Sequence, residues 1–143
     1  MTSLKRFAPH ILLAGDVLAL LIFTYIGERD HELLDGENPL FRLLLVTFAF
    51  ALPWVVTGWV LGAFPRGEAL TARSLLLRSV NTWLVAVPLG VLVRAYLLGL
   101  QVIVRSFVVA GLVFIGLFLL GWRLAFVLIW LWLERRAREP KPA

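Results

Sequence analysis

The chain of 143 residues has no cysteine and little charge, with 16% of its residues Asp, Glu, Lys or Arg. The absence of cysteine excludes disulfides, thiolate metal sites, iron–sulfur clusters and cysteine nucleophiles together. The scarcity of charge excludes an ordinary water-soluble domain, which runs nearer about a quarter charged. His10 and His31 are the only two histidines, and on one helix they stand about 30 Å apart. They cannot share a haem or a metal ion. There is no nucleotide-binding loop, Ser/His/Asp set, HExxH pattern or pair of carboxylates within one apolar run. The expectation is a protein that is not an enzyme and holds neither metal nor cofactor.

Apolar residues fill the space that charge leaves. They make up 61% of the chain, and the mean hydropathy is +0.91. A globule of this length could not bury so much apolar surface from water, so lipid is its main solvent. Four runs reach the roughly 20 residues a spanning helix needs: 7–26, 40–64, 75–98 and 107–133. The connections are short, so neighbouring helices form antiparallel hairpins. The expected fold is an all-α, four-helix transmembrane bundle in a single membrane domain, residues 1–143. The first run follows Lys5 and Arg6 as a secretory signal would. No small-x-small cleavage site follows it, and Asp16 interrupts it, so it reads as a retained span.

The net charge of +5 follows the same layout. Lys5 and Arg6 precede the first span, and Arg66, Arg73 and Arg78 lie in or beside the second connection. Arg135, Arg136, Arg138 and Lys141 follow the fourth span. The first connection carries Glu28, Asp30, Glu32, Asp35 and Glu37, five of the nine acidic residues. The positive-inside rule then places both termini in the cytoplasm and the acidic loop outside the cytoplasmic membrane. The basic residues serve topology and lipid headgroups, so membrane lipids and not nucleic acid are the expected contacts.

The polar groups within the spans are the candidate site. Asp16 lies near the middle of the first span, where a lipid-exposed carboxylate costs about 3 kcal/mol or more. It should face the interior with a partner. Arg123 and Asn81 sit at compatible depths, so Asp16, Asn81 and Arg123 are expected to meet. Such a cluster is either an interhelical clamp or a proton or anion site. A second candidate cluster, at the external end, comprises Arg94, Arg29, His31 and Glu28. Arg94 there either snorkels outward or pairs with Glu28 or Asp30. Arg42 and Arg105 read as interfacial anchors. Gly58 and Gly62 form a small-xxx-small pair for helix packing. Trp59, Trp122, Trp130 and Trp132 read as an interfacial belt. Pro53 and Pro88 each remove a backbone bond near a span's middle.

A shift of 63 residues lays Arg42 on Arg105, Gly58 on Gly121 and Trp59 on Trp122. A shift of 65 lays Asp16 on Asn81 and Arg29 on Arg94. These matches raise the alternative of two parallel helical hairpins related by duplication, set against chance matching of apolar segments.

Several short pieces also resemble one family. They are Gly15-Asp16-Val17, Gly27-Glu28-Arg29-Asp30-His31, Thr82-Trp83, Leu92-Val93-Arg94, Ser106-Phe107 and Gly121-Trp122-Arg123. The chain resembles, over roughly residues 10 to 126, a prokaryotic domain-of-unknown-function family of small four-span membrane proteins from bacteria and haloarchaea. The resemblance implies a four-span fold and supplies no catalytic residue. Two functions fit these readings. One is a small oligomeric transporter or channel for a proton, ion or small solute, using Asp16, Asn81 and Arg123. It would be a homo-oligomer, because four helices alone rarely enclose a path. The alternative is a non-catalytic accessory or scaffold subunit that docks other membrane protein subunits of a larger complex.

Overall fold

A backbone amide in lipid has no water to turn to, so an apolar run of spanning length must close its hydrogen bonds on itself as a helix. The computed structural model describes residues 2–31, 38–65, 71–103 and 105–138. It contains helices α1 (Thr2–Asp30), α2 (Pro39–Val60), α3 (Ala72–Leu97) and α4 (Arg105–Arg138). All four are long and apolar enough to cross a membrane. The protein is therefore an all-α, multi-pass membrane protein. Glu32, Asp35, Glu37, Arg66 and Lys141, and the side chains of Lys5, Arg6 and Arg138, lie outside the described residues.

Local chemistry sets the helix ends. Pro39 opens α2, where its missing N–H is no loss. Thr71 caps α3, its Oγ1 accepting from the Ser74 N–H at 3.4 Å. The second apolar run continues to residue 64, but α2 stops at Val60. Gly62 stands in the left-handed region at φ 69°. Its N–H bonds the Trp59 carbonyl at 3.4 Å, and the Ala63 N–H bonds the Gly58 carbonyl at 2.7 Å. This is a Schellman stop, which a residue with a Cβ adopts only with strain. Gly62 is thus a helix terminator, and it also lets Arg78 of α3 come close, since a Cβ there would lie 3.1 Å from Arg78 Nη1. Gly58 is covered from within the chain, since a Cβ there would fall 2.7 Å from the Phe64 ring. Past the stop, the chain turns back and buries Ala63 completely.

Each helix packs on two others in a ring: α1 on α2, α2 on α3, α3 on α4, and α4 back on α1. Among the described residues the backbones of the diagonal pairs stay apart, and those helices meet only through long side chains. The outward surface is apolar, with Val60, Leu117 and Val109 well exposed, whereas Asp16, Thr24, Glu28, Thr47, Ser79, Thr82 and Arg123 are buried. That inversion suits a bundle whose solvent is hydrocarbon. The buried hydroxyls bond their own helix one turn back, as Thr47 does to the Leu43 carbonyl at 2.8 Å and Thr82 to that of Arg78 at 2.8 Å. Helices α2 and α3 run through Pro53 and Pro88 without interruption.

One expectation changes at this level. Trp130 is buried among Ala8, Leu12 and Phe126, and Trp122 packs partly inward, so only Trp59 and Trp132 present the exposed faces a belt requires. The residues matched by the internal shifts also sit in unlike places. Asp16 is buried while Asn81 is exposed, and Gly58 is buried while Gly121 is exposed.

Candidate functional site

Asp16 and Arg123 are both fully buried. The guanidinium meets the carboxylate side-on, with Nε donating to Oδ1 at 3.1 Å and Nη2 to Oδ2 at 2.5 Å. This two-bond fork is the strongest geometry available to the pair. Trp54 adds a third donor, its Nε1–H reaching Oδ2 at 2.9 Å. On its other edge Arg123 donates through Nη1 to the Ala63 carbonyl at 2.7 Å and to Ser79 Oγ at 3.0 Å. The rings of Trp54 and Phe64 lie 5.1 and 4.9 Å from the guanidinium carbon. One guanidinium therefore joins α1, α2, α3, α4 and the turn after α2.

The sequence makes this meeting possible at two glycines. Gly62 stops α2 and so delivers the Ala63 carbonyl. Gly15 lets α4 come close: a Cβ there would lie 2.0 Å from the Trp122 ring. The next residue on each helix, Asp16 and Arg123, then fall within bonding distance. Beyond this layer, the core between Leu20, Phe50, Trp54 and Leu119 has no room for a water molecule.

A second charged layer lies 12 residues along α1, about 18 Å away at helical rise. Glu28 is buried there between two arginines. Arg42 Nε donates to Oε2 at 2.5 Å and Arg94 Nη2 to Oε1 at 3.3 Å. The Arg94 guanidinium also lies over the Phe107 ring at 4.5 Å. Beside it a cleft of about 350 Å³ runs between α1 and α4. Phe23, Phe50, Phe107, Phe114 and Phe118 line it, together with Glu28, Asp30, His31 and Arg94. Thr24 also lies on its wall, and its hydroxyl bonds that of Thr47 at 2.6 Å.

The structure brings Asp16 and Arg123 together but leaves Asn81 out. Asn81 is exposed, because two residues along α3 from buried Ser79 is about 200° around the helix. Ser79 contributes what the amide was expected to supply. At the other layer Glu28 meets Arg94, while Arg29 and His31 are exposed at the end of α1 and join neither partner. Arg42, read as a simple anchor, is instead the nearer partner of Glu28. The sequence reading missed Trp54, Ser79, Phe64 and the Ala63 carbonyl. A buried indole N–H usually finds an acceptor, and that was the available signal for Trp54, although the indoles of Trp122 and Trp130 have none among the described residues. A backbone carbonyl leaves no such trace.

Residues 13–126 match the family described as protein of unknown function (DUF3054), a stretch that begins just before Asp16 and ends just after Arg123. No curated protein and no solved structure matches the chain.

Proposed function

The chain belongs to the DUF3054 family, and we propose that it works as a small oligomeric carrier, with the cleft as the open half of its path and the Asp16–Arg123 layer as the closed half. The observation that carries this reading is the one-sided opening. The cleft stops at a core too tight for water, and below that core a charge pair ties all four helices. A binding space that ends at a closed layer is what one state of a rocking carrier presents. A permanently open channel fits less well, because the core below the cleft has no room for a water molecule. The carrier sits in the cytoplasmic membrane with both termini inside. Reporter fusions in the 28–38 connection test that orientation, and a cytoplasmic signal there would reverse it.

A second reading, the accessory subunit, draws on a different surface. An open groove of about 690 Å³ between α3 and α4 is lined by Trp83, Leu112, Gly116, Leu120 and other apolar residues. A partner's helix would fit such a face. The natural absence of cysteine makes the discriminating experiment clean. Single Ala110→Cys and Ser79→Cys variants in oriented vesicles are exposed to an impermeant thiol reagent. A carrier should show Ala110→Cys labelled from the face opposite the termini, and Ser79→Cys labelled slowly from the face that bears them. If Ser79→Cys resists labelling from both faces for hours, the bundle is static and the accessory reading stands.

A further inference from the structure

The cleft contains one polar group whose bonding is incomplete. Both oxygens of Glu28 are engaged, one by Arg42 and one by Arg94. Thr24 Oγ1 is held by the Leu20 carbonyl at 3.0 Å and by Thr47 Oγ1 at 2.6 Å. Asp30 and His31 stand at the exposed rim, where solvent screens them. Arg94 differs: its side chain is only 12% exposed, and Nη2 alone is bonded. Its Nε and Nη1 have no hydrogen-bond partner among the described residues. Stacking on Phe107 covers a face of the guanidinium and satisfies none of its in-plane donors. These donors are not sealed in the core but open toward the cleft, where an acceptor could reach them.

Charge and shape narrow what that acceptor is. Two arginines, Arg42 and Arg94, share the one carboxylate of Glu28, and Asp30, the other acid on the wall, stands at the exposed rim. The remaining wall is apolar, with five phenylalanines, and the volume of about 350 Å³ lies in the range of small-ligand sites. We propose that the cleft binds an amphiphilic anion, with its carboxylate, phosphate or sulfonate head on the free edge of Arg94 and its apolar body among Phe107, Phe114 and Phe118. A cationic amphiphile would meet Arg94 with like charge, and a neutral one would leave its free edge without a counter-charge. The inference rests on the carrier reading for its purpose, in that it names the class of solute. Binding is measured apart from movement, so either can fail alone.

The probe is decanoate, added to the full chain in phosphatidylcholine nanodiscs, with the thermal unfolding midpoint as readout. Decanol and decyltrimethylammonium are the neutral and cationic controls. Decanoate should raise the midpoint saturably, decanol should bind at least about tenfold more weakly, and the cation should have no effect. Arg94→Gln should weaken decanoate binding at least about tenfold, while Arg94→Lys should retain most of it. Ala110→Phe fills the cleft without touching the ion cluster, and it should abolish binding while the ligand-free midpoint stays near that of the natural chain. It decides the matter if Arg94→Gln does not fold. Where phosphatidylglycerol nanodiscs raise the midpoint in an Arg94-dependent way and decanoate adds nothing, the anion is a lipid headgroup and the site stands. Equal binding of decanol and decanoate, or undiminished binding in Ala110→Phe, overturns the proposal.

Discussion

Arg123 and Arg94 each face a buried carboxylate in the same small bundle, yet the two layers are built to opposite specifications. At Asp16 one guanidinium spends its N–H groups on a carboxylate, a carbonyl and a hydroxyl, with aromatic rings on its faces. Every helix takes part and no space is left. At Glu28 two arginines share one carboxylate, both guanidiniums keep free donors among the described residues, and a cleft lies alongside. The same residue types thus give a joint in one place and a receptive surface in the other. What differs is the number of acceptors supplied for each cation. A charge fully matched by the protein has nothing left to offer a ligand.

Four variants test that contrast. The largest effect is expected at the closed layer. Asp16→Ala leaves Arg123 charged and buried without its counter-ion, at a cost of about 3–5 kcal/mol in a reversible unfolding assay in detergent. The double variant Asp16→Leu with Arg123→Met should recover much of that loss, since removing both charges also removes their desolvation. A double variant no more stable than the single one would mean that the layer's value lies in Ser79, Trp54 and Ala63 instead. At the receptive layer, Glu28→Gln should cost about 1–2 kcal/mol in the same assay, because Arg42 is partly solvated and can turn to water. A loss equal to that of Asp16→Ala would erase the distinction between the layers. The smallest effect is expected at Asn81→Ala. Its exposed side chain belongs to neither layer, so unfolding should shift by no more than about 0.5 kcal/mol. A clear destabilisation would return Asn81 to the site.

The pairing of Asp16 with Arg123 was legible because the cost of a charge in hydrocarbon leaves few alternatives. An acid in mid-span must find a cation at its own depth, and Arg123 was the available one. Asn81 misled because depth was matched but rotation was not: α3 turns Ser79 inward and Asn81 out. Gly58 and Gly62 misled for a related reason. Their spacing fits a helix-docking face, but the helix ends between them, and the left-handed turn at Gly62 serves the chain's own return. Arg42 looked like an anchor because it opens a span, and only the approach of α1 to α2 puts Glu28 within its reach.

Composition and apolar run length alone determined the four spanning helices, the all-α class and the need for a buried partner to Asp16, because transfer of backbone and charge into lipid is too costly for other solutions. Which face each helix turns inward was decided only by the packed bundle. Side-chain fit at Gly15 against Trp122 and the fold-back after Gly62 set those rotations, and both depend on contacts between segments far apart in the chain.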